Sequence, residues 1–440
     1  MAESSVPVPA EHLVVWHEQL IVGRLWRAGR HQTLRFAYEM LASPPPHRAI
    51  SQSLPLREDA YDGPEVEAFF GNLLPEGDIR TAVARRLQIS ERNDYALLDA
   101  LGGDCAGALV LMPPGMPPPE VAPGGRVLNQ PELASLVDAL PTHPLLAGEN
   151  GMRLSLAGAQ PKLALCKAGD DWLQPAPGAI STHILKPAIR DLPGSIENEA
   201  FCMQLAAHCG LGVPESWTEY QPRLYVVARY DRERLPATGR IRRLHQEDFC
   251  QALGIPASRK YEAEGGPSLA DCFGLIRRIS SDPAGDLLRL TDWVIFNFFI
   301  GNHDAHAKNL SLLYRRGEVR LAPFYDLLST AAYPSLSDRF AMRIGGAESV
   351  RYMAMRHWRT FTADCGLTFS FFQSRATALI RKLSFDRALE ALQLEPGAAA
   401  PVLDVIASRL RAYTNMVRAE NPQQSLPLDE AVQPEGPKPT

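Results

Sequence analysis

Phe299-Ile300-Gly301-Asn302-His303-Asp304-Ala305-His306-Ala307-Lys308-Asn309 lies between an apolar, helix-patterned run and a segment that reads as a strand. Phosphoryl transfer to a hydroxyl needs a carboxylate to orient the acceptor and take its proton. It also needs an oxygen ligand for Mg²⁺ from the same loop, five residues on. Asp304 and Asn309 have that spacing. In isolation an Asp capping a turn and an Asn closing a loop would look the same. A metal cluster of His303, Asp304 and His306 is a further reading, although His-Asp-x-His lacks the i, i+4 helical spacing of zinc sites.

Downstream, Leu321-Ala322-Pro323-Phe324-Tyr325-Asp326 ends a hairpin read as Asn309 to Tyr314 and Glu318 to Pro323. Kinases place a second carboxylate there to hold Mg²⁺ against the ATP phosphates, which points to Asp326. Upstream, Ser155-Leu156-Ala157-Gly158-Ala159-Gln160-Pro161-Lys162 joins two expected strands through small residues that let backbone N–H groups approach phosphates; an ordinary hairpin would carry the same signal. Ile184-Leu185-Lys186-Pro187 offers a strand lysine for the phosphates, with Glu199 on the next helix as its partner. Arg229-Tyr230-Asp231 follows the strand ending at Ala228 as a hinge whose backbone could bind adenine; a plain exposed turn would read the same.

The wider chain agrees with a two-lobed enzyme. Strands are expected at Leu13 to Trp16, Leu20 to Leu25 and Leu34 to Tyr38, followed by helices with apolar spacing from Val66 to Leu87. The proline-rich stretch from Pro113 to Gly125 marks a boundary. Strands at Arg153 to Ser155, Lys162 to Lys167 and His183 to Lys186, a helix from Glu197 to Cys209 and a strand from Leu224 to Ala228 come next, and helical patterns dominate beyond Asp231. The expected division is 1–112, a small α+β unit; 113–150, a linker; 151–230, an N-lobe; 231–420, a mainly helical C-lobe; and 421–440, a disordered tail.

With 50 acidic against 45 basic residues, a net charge of -5 excludes the global basic excess of a free-standing nucleic-acid binder. The seven cysteines form no C-x-x-C pair and read as reduced thiols. No basic-then-apolar leader and no membrane-length apolar run occurs, so the expectation is a cytoplasmic protein without membrane contact. Only seven lysines stand against 38 arginines, and three of them, Lys162, Lys186 and Lys308, fall inside the motifs above. A lysine kept in so arginine-biased a chain suggests a need for a compact point charge.

L-S-L-A-G-A-Q-P-K, T-H-I-L-K-P, N-E-x4-Q-L-A, V-A-R-Y-D-R, the segment His245 to Gly254, K-Y-E-A-E-G-G-P from Lys260 to Pro267, G-N-H-D-A-H-A-K-N and P-F-Y-D together resemble the HipA family, in order and at similar intervals. Ser53 to Leu56 and Phe69 to Gly77 extend the resemblance into the N-terminal unit. It implies an α+β, two-lobed, protein-kinase-like fold with an N-terminal accessory domain. It further implies a serine/threonine kinase toxin using ATP and Mg²⁺, inhibited by a HipB-like helix-turn-helix antitoxin that carries the pair onto operator DNA. An aminoacyl-tRNA synthetase is the implied substrate. By position Asp304 would be the catalytic base, Asn309 and Asp326 the Mg²⁺ ligands and Lys186 the phosphate lysine. Ala157, Gly158, Ala159, Gln160, Pro161 and Lys162 would line the phosphates. Ala228, Arg229, Tyr230, His306, Lys308 and Tyr325 would complete the nucleotide site, and Ser155 would be self-phosphorylated. Pro161 stands where many relatives carry an acidic or polar residue. A small-molecule kinase, or an inactive kinase fold acting as a DNA-bound corepressor, shares much of this pattern.

Overall fold

The computed structural model describes residues 8–40, 49–118, 125–146, 153–176, 179–383, 389–390, 393–394 and 396–420. The tail expected to be disordered, 421–440, lies outside them.

The N-terminal part is an antiparallel four-stranded sheet, in the order Thr33–Tyr38, Leu20–Ala28, Leu13–His17, Leu109–Met112. Helices Pro64–Gly71, Gly77–Leu87 and Asp94–Leu101 accompany it. Phe36, Phe69, Phe70, Leu97 and Leu98 are among its fully buried side chains. Its core also takes in Leu154, Leu156 and Ala164, so it is continuous with the next unit.

That unit is a six-stranded sheet ordered Gly125–Leu128, Asp171–Pro175, Leu163–Ala168, His183–Lys186, Arg223–Ala228, Ser216–Tyr220. Two expectations differ here. The connecting segment supplies the edge strand Gly125–Leu128 and a helix, Gln130–Ala139, started by a reciprocal Asn129–Glu132 capping box. Arg153 to Ser155 makes no ladder; Leu154 forms a single parallel bridge to Asp104.

The C-terminal part packs helices Leu269–Ile279, Pro283–Ile300, Met355–Asp364, Phe369–Lys382 and Pro396–Glu420 around the largest core, which includes Trp293, Phe296, Phe299 and Trp358. Strands also occur where helices were expected: Arg232–Arg234 pairs with Ile241–Arg243, Arg339–Ile344 with Ala347–Ser349, and His245–Asp248 joins the hairpin Ser311–Arg315/Glu318–Leu321. Among the described residues no helix is long and apolar enough to cross a membrane.

Candidate active site

Helix Pro283–Ile300 delivers the expected catalytic loop. Asp282 caps its start, Pro283 presets the first turn, and Gly301 ends it at φ +69°. A Cβ on Gly301 would lie 2.6 Å from Val405 Cγ1 and 2.7 Å from Ala331 Cβ, so both conformation and space demand glycine. The chain then turns sharply into the loop. Asn302 Oδ1 accepts from the Asp304 N–H at 3.1 Å, and its amide donates to the Asp326 carbonyl at 3.4 Å, joining the two acidic segments. Asn309 donates through Nδ2 to the Asp304 carbonyl at 3.1 Å.

Across the cleft, Lys186 is buried between two carboxylates, with Nζ 2.7 Å from Glu199 Oε1 and 2.5 Å from Asp326 Oδ1. Burial works against its charge, but Asp326 and Glu199 outweigh that and hold it firmly protonated. Asp326 is likewise opposed by burial and kept ionised chiefly by Lys186. Its side chain is 40% exposed and its backbone sits at φ +54°, a strained conformation for a non-glycine residue and one that recurs at functional sites. Asn198, beside Glu199, donates to Ser329 O at 2.9 Å and accepts from Ser329 N at 2.8 Å, fastening the helix Ser195–Cys209 to the segment after Asp326.

The expected phosphate loop curls over its own lysine. Lys162 Nζ donates to Ala157 O at 2.9 Å, and burial, aided by the charge of Lys186, pushes its pKa down to about 8. Gly158 adopts φ +103°, a conformation side-chain-bearing residues rarely take, and a Cβ there would displace that Nζ, 2.8 Å away. Ala159 is exposed; Ala157, Gln160 and Pro161 are half-buried. Ser155 is fully buried and donates to Leu73 O at 2.6 Å. Tyr230 and Tyr325 stack with centroids 5.8 Å apart at 23°, and Tyr325 OH donates to Lys308 O at 2.8 Å.

Other expected site residues are spent elsewhere. The N–H of Ala228 goes to Glu215 O and that of Arg229 to Thr182 O, both at 2.9 Å. The Arg229 guanidinium is buried against Asp231, with Nη2 at 2.9 Å from Oδ2, and against Asp104. Lys308 has partners other than the carboxylates beside Lys186: its Nζ is 2.8 Å from Asp248 Oδ2, 3.2 Å from Asn72 O and 3.6 Å from Glu76 Oε1. His306 is buried with Nδ1 unpartnered, and burial pushes its pKa down to about 4. His303 bonds Ser337 O and the Arg409 guanidinium instead of gathering with Asp304 and His306, and no cluster of three metal-ligating His, Cys, Asp or Glu occurs among the described residues.

The sequence reading missed Tyr261, whose hydroxyl donates to Asp304 Oδ1 at 2.8 Å, along with Lys260, Glu76 and Asn302. Lys260 and Tyr261 open the K-Y-E-A-E-G-G-P motif and Glu76 falls in Phe69 to Gly77, so the signal existed as motif membership without a role. As a donor set, the Asp326 carboxylate and the Asn309 amide oxygen suit a hard cation that keeps its other positions for water and phosphate oxygens.

The profile of the HipA N-terminal domain matches residues 13–112, and that of the HipA-like C-terminal domain residues 154–389. The chain is 46% identical over 379 residues to the Sinorhizobium fredii protein named "Putative kinase Y4mE", covering 84% of this chain and 89% of that one. It is 29% identical over 360 residues to "Serine/threonine-protein kinase toxin HipA" of Shewanella oneidensis, covering 79% and 82%. A solved complex of Shewanella oneidensis HipA with HipB and its operator DNA aligns at a TM-score of 0.77 and 26% identity, over 92% of this chain and 97% of that chain. The two-lobed α+β architecture is therefore that of HipA, and both profiles fall on the structural parts that bear the site. The chain belongs to the HipA family of kinases.

Proposed function

We propose that the protein is an ATP-dependent serine/threonine kinase acting as the toxin of a toxin–antitoxin pair. The observation that carries this reading is the placement of Lys186 between Glu199 and Asp326, with Asn302 linking Asp326 to Asp304. Asp304 orients the acceptor hydroxyl and takes its proton; Lys186 neutralises phosphate charge; residues Ala157 to Lys162 cradle the phosphates through backbone N–H groups. Asn309 and Asp326 would hold Mg²⁺, which when bound neutralises the charge between the β- and γ-phosphates. The Tyr230–Tyr325 stack gives an aromatic wall for the nucleotide base and sugar.

The acceptor is a serine or threonine of a protein, with an aminoacyl-tRNA synthetase first in line, and the setting is the cytoplasm. The partner is a HipB-like helix-turn-helix antitoxin with which the chain acts as corepressor. A net charge of -5 favours operator contact made mainly through that antitoxin. Ser155 is the self-modified residue. Because its hydroxyl is buried on Leu73 O, a phosphate of about -1.5 to -2 charge cannot stay there, so modification expels the loop and removes the cradle.

The test is incubation of purified protein with lysate and γ-labelled Mg·ATP, followed by identification of the labelled species. A labelled protein with wild type and none with Asp304→Asn is expected, together with phosphate on Ser155 in wild type alone. A labelled metabolite and no labelled protein would instead mark a small-molecule kinase.

A further inference from the structure

We infer that Glu76, carried by the N-terminal domain, is a positioning residue of the phosphoryl-transfer centre, its carboxylate tying the catalytic loop at Lys308 to the Lys260-Tyr261 segment, whose tyrosine bonds Asp304. The inference rests on the kinase reading above. Glu76 Oε2 lies 2.9 Å from Lys260 Nζ, and Oε1 lies 3.6 Å from Lys308 Nζ. Lys308 sits inside the catalytic loop, between Asp304 and Asn309. Lys260 immediately precedes Tyr261, whose hydroxyl fixes Asp304 Oδ1 and leaves the other carboxylate oxygen for the acceptor. One carboxylate thus spans both sides of the proton-accepting group. Burial opposes its charge, but Lys308 and Lys260 outweigh burial and keep it ionised.

The same turn also reaches the phosphate loop, through the backbone. Glu76 N donates to Gly158 O at 3.2 Å, and Pro75 bridges Gly158 in parallel. The two contacts separate chemically: changing the side chain alters the hold on Asp304 while the backbone hold on the phosphate loop remains. Lys308 keeps Asp248 when Glu76 is neutralised, so the fold has a reason to survive the change.

The test uses the full chain and the acceptor protein that wild type labels in lysate, with Mg·ATP as donor. Glu76→Gln should lower kcat by about tenfold or more, because small displacements of a catalytic group are costly. The KM for ATP should stay within about twofold and the melting temperature should be unchanged. Tyr261→Phe should lower kcat similarly, and the double variant should be no worse than the weaker single one, since both act on Asp304. Wild-type kcat in Glu76→Gln overturns the inference, as does a loss that multiplies with Tyr261→Phe or one matched by loss of folded protein. If Glu76→Gln does not fold, Lys260→Met probes the same link from its other end: a kcat loss at unchanged KM supports the inference and wild-type kcat overturns it. Asp304-dependent transfer by wild type separates the two readings. Without it both fall; with it, an unaffected Glu76→Gln removes only the role of Glu76.

Discussion

Two buried charge networks join the N-terminal domain to the kinase body, and they are built from different cations. At the hinge, Asp104 meets Arg229, Arg232 and Arg243, while Asp231 takes Arg229, Arg232 and the Gly107 N–H, and the Arg229, Arg232, Asp104 and Asp231 side chains are exposed by no more than 8%. At the catalytic loop, Glu76 and Asp248 meet Lys260 and Lys308. The guanidinium forks lock a fixed geometry through several bonds at once, whereas ammonium groups act as point charges that tolerate small adjustments. Of only seven lysines in the chain, Lys162, Lys186, Lys260 and Lys308 all stand at the site. The hinge is built to be rigid, and the site to be held by charge without being frozen.

That contrast can be broken most directly at Asp104. Asp104→Ala should leave the buried Arg229 and Arg232 guanidinium groups sharing Asp231 alone and take Arg243's carboxylate away, at a cost of about 3–5 kcal/mol of stability, measured by denaturant unfolding, with transfer by the folded fraction within a few-fold of wild type. A stable variant with lost activity would reverse the assignment. At the site the effect should fall on rate: Asp304→Asn and Asp326→Asn should each lose about a hundredfold or more in phosphoryl transfer while melting as wild type does. Near-normal turnover in either would remove that carboxylate from the mechanism. Lys186→Ala should weaken Mg·ATP binding by about tenfold or more, since phosphate charge loses its buried counterion, and calorimetry with unchanged affinity would move the phosphate site elsewhere.

A pH-dependent effect concerns a third tie that uses no cation. Glu247 is fully buried and accepts from Ser51 Oγ at 2.5 Å, from the Gln52 N–H at 3.1 Å and from Tyr314 OH. Burial pushes its pKa up to about 7 from an ordinary 4.5. Between those values the folded chain keeps a proton that the unfolded chain releases. Its contribution to stability is therefore complete below about pH 4.5 and is lost as pH rises to about 7, at up to about 1.4 kcal/mol per pH unit. Unfolding of wild type at pH 5 and pH 7 should show this decline and Glu247→Gln should lack it; parallel profiles would place an ordinary ionised glutamate there.

What the sequence made legible was local. The Asp304-to-Asn309 spacing lies within one loop, and Lys186 and Glu199 lie on consecutive elements, so each reads without tertiary knowledge. Glu76, Lys260 and Tyr261 converge on Asp304 from distant parts of the chain, and no spacing rule spans such separations. Lys308 read as part of the nucleotide site because position along the loop does not tell which way an ammonium faces. His245–Asp248 is polar at all four positions, and only its pairing with Ser311–Arg315 makes it a strand. Gly125–Leu128 and its helix were hidden by the prolines before them, although Asn129 and Glu132 carried a start signal.

The paired hydrogen bonds between the Asn198 side chain and the Ser329 backbone bear on how such an enzyme can be controlled. In many protein kinases the helix bearing the lysine's glutamate swings in and out as an activity switch. Here Asn198 on Ser329 and Glu199 on Lys186 tie that helix both to the segment after Asp326 and to the strand lysine. Ser155, at the start of the proposed phosphate loop, is fully buried on Leu73 O, so the proposed modification there would have to unseat it.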